Sequence, residues 1–192
     1  MAVNFTPLLK RLAAKGIKPN TPAARNWFRN KVRDTRINRQ NLMSAADRSE
    51  TMPKIGSMYC YAYDPKHKKT LPYYDEFPLI FVVEPAPGGF IGINLHYVSP
   101  RNRIVIMDSL SLIATDKKYD KSTKLAMTYN ILKNLSKYNM IKPCLKRYLY
   151  GQVKSNFVKI DANEWDIAIF LPVQKFRKAA ASTVWSESAR NS

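Results

Sequence analysis

The sequence predicts an α+β fold: a small antiparallel sheet, open or barrel-like, with helices packed on one side, a basic N-terminal helical arm and a C-terminal tail. Three observations carry that expectation. Between Met58 and Val98, apolar runs of strand length are broken by Pro and Gly. From Pro100 to Gln152, apolar residues recur at helical spacing. The charge also divides the chain. Residues 1–50 hold 11 basic and 3 acidic side chains, residues 51–113 hold 6 and 5, and residues 114–192 hold 15 and 6. A near-neutral core between basic flanks gives the expected division: 1–50 basic arm, 51–178 α+β core, 179–192 flexible tail.

Each element has its own signal. Leu8, Leu9, Leu12 and Ala13 recur at helical spacing until Gly16, Pro19 and Pro22 interrupt them. Thr21-Pro22 reads as an N-cap with proline at the first helical position, opening a helix from Ala23 to about Ile37. Its apolar stripe is thin (Trp27, Phe28, Val32), so it is expected to lie on a polyanion or on another subunit. Ser57–Tyr63 alternates Met58, Cys60 and Ala62 against Tyr59, Tyr61 and Tyr63, the period of a strand. Leu79–Glu84 and Phe90–Val98 read as a hairpin around Pro85–Gly89, and Ser99-Pro100 opens a helix to Ala114. Tyr119–Tyr138 shows the clearest helical period, beginning at Asp120 or Ser122. A shorter helix is expected over Cys144–Gln152, strands over Phe157–Ile160 and Trp165–Leu171, and a fraying helix after Val173.

Composition excludes several classes. At 45% hydrophobic and 11% aromatic, the 192-residue chain is too apolar for a disordered basic tail and long enough to bury a core. Cys60 and Cys144 form no disulfide framework, which points to a reducing compartment. No apolar run approaches the roughly 18 residues of a membrane span, and the N-terminus lacks a secretory apolar stretch. A net charge of +18 implies a polyanionic partner instead of a membrane or a small-molecule substrate.

Catalytic chemistry is poorly served. His67 lies in a lysine-rich loop, and His96 is expected opposite the apolar side of its strand, solvated or locally bonded. Neither shares metal-ligand spacing with Cys60 or Cys144, and Cys60 reads as a small core residue. A metal-dependent nuclease needs clustered carboxylates. Glu84 has no lysine two positions on, and Asp161, Glu164 and Asp166 read as solvated acids in a tight turn. Only Gly88 and Gly89 are adjacent, so no phosphate loop is present. No catalytic residue, metal or cofactor is expected.

The segment Asp64–Pro78 interleaves Lys66, Lys68 and Lys69 with Tyr73, Tyr74 and Phe77 among three prolines. Cations beside aromatics suit a backbone-plus-stacking contact with single-stranded nucleic acid. The alternative is a proline-pinned loop whose aromatics close over the hairpin. The alternative is favoured because Asp75 and Glu76 oppose a phosphate.

Four blocks, Asp64–Phe81, Gly88–Arg103, Lys142–Leu149 and Glu164–Phe176, occur in an order that resembles a small virion protein family of contractile-tailed bacteriophages, the DNA end protector proteins. Val98-Ser99 departs from the Leu-Pro pair of that pattern. The resemblance implies a non-enzymatic virion protein at the head or neck, assembled in the host cytoplasm. It would bind the end of packaged double-stranded DNA without sequence specificity and shield it from exonuclease. The best contact candidates are Arg25, Arg29, Arg33, Arg36 and Arg39 of the basic helix and its end. Lys142, Lys146 and Arg147 follow in the third block, then Lys175, Arg177 and Lys178 after the fourth. Two other readings stay open: a structural neck, tail or baseplate protein whose basic arms dock on other virion proteins, and, weaker, a metal-dependent nuclease.

Overall fold

Prolines open three of the helices, because a fixed φ suits the first turn and its missing N–H costs nothing there. A computed structural model describes residues 5–35, 37–114, 116–139 and 141–190. In chain order the elements are α1 (Thr6–Ala14), α2 (Pro22–Lys31), α3 (Arg39–Met43), β1 (Ser49–Glu50), β2 (Met58–Cys60), β3 (Tyr74–Asp75), β4 (Leu79–Ala86) and β5 (Gly89–Asn94). They continue with α4 (Pro100–Ala114), α5 (Lys121–Leu135), β6 (Leu145–Leu149), β7 (Phe157–Ile160), α6 (Trp165–Ala168), β8 (Phe176–Arg177) and α7 (Ala181–Arg190). Pro7, Pro22 and Pro100 occupy the first turns of α1, α2 and α4. Thr21 caps α2 by accepting from Ala24 N–H, and Asp120 caps α5 by accepting from Thr123 N–H.

Six strands form one antiparallel sheet in the order β1-β7-β2-β4-β5-β6; β3 and β8 pair separately. The sheet is open and does not close into a barrel. The β4–β5 hairpin turns at Gly88, whose φ of +69° favours glycine. A Cβ on Gly89 would meet the Tyr148 carbonyl oxygen at 1.8 Å, so this glycine lets β6 lie against β5. One sheet face carries Met58, Cys60, Leu79, Phe81, Val83 and Ile93 into the main core beneath the helices. The other buries Tyr59, Tyr61, Tyr63, Phe90, Tyr148 and Phe157, an aromatic cluster in which Tyr61, Tyr63 and Tyr148 pack edge to face and Phe90 stacks on Tyr148.

Several elements depart from expectation. Leu145–Leu149 is a strand, where a helix over Cys144–Gln152 was predicted: β5 offers it five partners from Gly89 to Ile93, and pairing overrides a helix-like apolar spacing. Trp165–Ala168 is a helix, where a strand was predicted. Every residue from Glu164 to Ile169 is buried, and an apolar run buried all round has no diagnostic period. A capping box between Asp161 and Glu164 starts this turn. The third strand ends at Asn94 instead of Val98, because the Asn94 side chain accepts from His96 N–H and caps a 3-10 turn over Leu95–Tyr97. The first strand shortens to Met58–Cys60. After Val173 the chain forms β8 before any helix. Within the predicted tail, α7 buries Val184.

Residues 1–50 supply Phe5, Leu8, Leu12, Ala24, Phe28 and Val32 to the main core. Three of their arginines tie them down. Arg25 is buried and pairs with Asp166 at 3.4 Å and with the exposed Asp108. Arg48 donates two hydrogen bonds to Glu164, at 2.6 and 3.1 Å. Arg39 donates to the Val173 and Gln174 carbonyls. The acids Glu164 and Asp166, predicted to be solvated, are therefore buried and paired. Breaking a buried pair strands a charge. Arg25→Ala is expected to cost about 3 kcal/mol in urea unfolding, whereas Asp108→Asn, at an exposed partner, costs less than about 1 kcal/mol.

Candidate nucleic-acid interface

Four donors converge on the buried carboxylate of Asp75. His96 Nδ1 lies 2.7 Å and Asn94 Nδ2 3.2 Å from Oδ2. The main-chain N–H groups of Phe77 and Lys175 donate to Oδ1 at 3.0 and 3.2 Å. Burial alone would raise the Asp75 pKa, but His96 and the two main-chain donors lower it from the ordinary carboxylate value. Burial lowers the His96 pKa against the opposing pull of Asp75, and the nearby Arg103 adds to the lowering. His96 is thus buried and bonded, one of the two states expected for it; it is not solvated. Arg103 is itself buried, donating to the Val98 and Ile169 carbonyls, and desolvation lowers its pKa to about 10. Asn94 Nδ2 also donates to the Tyr148 hydroxyl at 3.0 Å, and Trp185 Nε1 donates to the His96 carbonyl at 2.8 Å. The four blocks read from the sequence thereby meet at one point: the loop through Asp75, the end of β5 through Asn94 and His96, β6 through Tyr148, and the segment before β8 through Lys175.

Beside this network the Asp64–Pro78 loop stands off β6 and leaves a cavity of about 750 Å³. Tyr63, Tyr73, Tyr74, Tyr97 and Tyr148 give it aromatic walls, and Lys66, Lys146 and Arg147 give it cations, with His67 beside them. Phe77 does close into the main core, as the structural reading of the loop expects, while Tyr73 and Tyr74 stay half-buried on the wall. The acids that weighed against a phosphate contact are both engaged within the fold. Asp75 is enclosed by its donors, and Glu76 pairs with Lys175 and Arg177, both at 2.8 Å. Lys178, at a left-handed φ of +68°, closes the loop by donating to the Lys69 and Leu71 carbonyls. Lys146 is half-buried, its Nζ 4.2 Å from the Tyr97 ring centroid. Among the described residues no carboxylate lies within ion-pair distance of it, and burial lowers its pKa.

The predicted contact residues separate into groups. Lys146, Arg147, Lys175, Arg177 and Lys178 gather around the loop and its cavity; Arg39 joins them with Lys154 and Lys175 along an adjacent hollow that shares Tyr63. Arg29 is exposed on α2, Lys142 is exposed before β6, and Arg25 lies inside the fold. Arg36 and the side chain of Arg33 lie outside the described residues. Lys66, His67 and Lys154 were not among the predicted contacts. The interleaving of lysine and tyrosine in the loop was the signal for the first two, but Lys154 had none. Glu84 pairs with Lys133, and no three of His, Cys, Asp or Glu come together as metal ligands among the described residues.

The family of the Phage T4 terminal DNA protecting protein matches residues 3–188, and the chain belongs to it. No curated protein and no solved structure matches the chain.

Two measurements test the network at Asp75. Asn in place of Asp offers one acceptor oxygen to four donors, so Asp75→Asn is expected to lose about 3 kcal/mol of stability in urea unfolding. Because the folded His96 pKa is depressed, the unfolded chain binds more protons below the unfolded value of about 6.5. Stability should therefore fall as pH drops from about 7 to 5, and the fall should shrink in His96→Gln.

Proposed function

We propose that this member of the terminal DNA protecting family binds the end of packaged double-stranded phage DNA without sequence preference and shields it from exonuclease. It would do so as a non-enzymatic component of the virion head or neck, assembled in the host cytoplasm. The observation that carries the reading is family membership across residues 3–188. A net charge of +18 supports it, with cations gathered around the Asp64–Pro78 loop. Each Lys or Arg laid against a phosphate releases counterions, which gives strong binding at low salt and a steep fall as salt rises. Long aliphatic stems on Lys66, Lys69 and Arg147 suit a backbone that is tracked, not read.

Contact with other virion proteins has a separate observation in its favour. Val105 on α4, Leu125 on α5 and Tyr138 just beyond α5 are exposed large apolar side chains. Exposed apolar side chains on this helix pair suit a neighbouring subunit and are of no use to a phosphate.

The reading is tested by the salt dependence of binding to linear DNA and by survival of that DNA under a processive exonuclease. Lys66→Ala, Lys69→Ala and Arg147→Ala combined are expected to reduce the slope of log K against log salt by roughly 2 to 3. An unchanged slope here, with a reduced one for Arg29→Ala, Arg33→Ala and Arg36→Ala, would move the contact to the segment 29–36.

A further inference from the structure

We propose that the cavity between the Asp64–Pro78 loop and β6 holds the terminal, unpaired nucleotide of the DNA. Its base would lie against the rings of Tyr73 and Tyr74, and its phosphate on Lys146 with Lys66 and Arg147 at the rim. The inference rests on the DNA-end reading and adds to it a site that distinguishes an end from the interior of a duplex.

Three observations carry it. The cavity, at about 750 Å³, falls within the size range of small-ligand sites and is concave, unlike a surface that tracks a duplex. Its lining joins aromatic rings to cations, the pairing by which single-stranded nucleotides are held without sequence preference; the carboxylate in that lining, Asp75, is buried and has its oxygens taken by four donors. Lys146 supplies the third. It is half-buried against the Tyr97 ring, with no carboxylate in ion-pair range among the described residues. A cation taken partly out of water without an acidic partner is unfavourable in the free protein, and an incoming phosphate corrects that. The loop's own acids do not compete for it. Asp75 is held by His96, Asn94 and two main-chain N–H groups, and Glu76 by Lys175 and Arg177. A free mononucleotide carries the same chemistry as a DNA terminus, so the two sources must be separated by experiment.

The test compares binding of the full chain to three probes: a duplex with a short single-stranded tail, a covalently closed circle of equal length, and thymidine 5′-monophosphate. Wild type should prefer the tailed duplex to the circle by about tenfold or more, and bind the mononucleotide far more weakly than either. Lys146→Ala and Tyr74→Ala should each weaken tailed-duplex binding by roughly tenfold. Circle binding should fall far less than tailed-duplex binding, which also reports that the variants fold. Lys146→Gln, which keeps most of the stem, should behave like the alanine variant. Variants that keep the wild-type preference for the tail would overturn the cavity assignment while leaving DNA-end binding in place. Mononucleotide binding as tight as that of the tailed duplex would make this a free-nucleotide site and also overturn it. Failure to bind either DNA would sink the DNA-end reading itself, and this inference with it.

Discussion

A single buried carboxylate organises the loop side of this molecule. Among the described residues Asp75 has no lysine or arginine ion-paired to it; its charge is met by an imidazole and an amide from the end of β5 and by two main-chain N–H groups, one from its own loop and one from the C-terminal segment. An ionised group taken out of water is tolerable only when its lone pairs are filled. That requirement fixes the loop relative to β5 and the C-terminal segment, because no rearrangement preserves all four donors. The cavity is a by-product of the same constraint. Pinned at Asp75 and again where Lys178 holds the Lys69 and Leu71 carbonyls, the intervening loop cannot collapse onto β6.

The parts of the fold legible in the sequence are those with a local cause. Pro100 and Asp120 mark the starts of α4 and α5, and strand-length apolar runs around Gly88-Gly89 mark the hairpin. β6 and α6 were misread because their conformations are decided elsewhere. β6 exists because β5 has an open edge, and α6 is buried on all sides, which erases the period that separates helix from strand. The site was half legible. Lysines and tyrosines interleaved in the loop were visible, whereas the pairing of Asp75 with a histidine 21 residues away was not. Without that pairing, the loop's acids count against an anionic ligand; with it, the oxygens of Asp75 are already occupied.

Charge shows the same limit. Arginines of the first 50 residues look alike in sequence, yet Arg25 and Arg48 neutralise Asp166 and Glu164 inside the fold. Arg29 faces solvent, and Arg39 reaches main-chain carbonyls. Net charge is a sound statement about partners and a poor one about which side chains meet them. The aromatic face of the sheet likewise has a double use. Tyr148 belongs both to the cluster that covers the sheet and to the cavity wall, so a core contact and a candidate ligand contact share one ring.

These features bear on how a basic protein can recognise an end at all. Cations spread over a convex surface bind phosphates anywhere along a duplex, and affinity then grows with the number of phosphates covered, not with proximity to a terminus. Discrimination needs an interaction that the interior refuses. Extruding a base from the middle of a duplex costs a few kcal/mol of unstacking and unpairing, and least where the base is already unpaired. On the proposed assignment, a concave, aromatic-walled cavity with a half-buried lysine would impose that cost on every interior position and on hardly any frayed or single-stranded terminus. The open edge of β6 places Lys146 and Arg147 beside the cavity, and basic side chains on an edge strand also discourage pairing with another sheet. On the proposed reading, general basic charge would account for attraction to DNA, and the geometry between the loop and β6 would tell its end from its length.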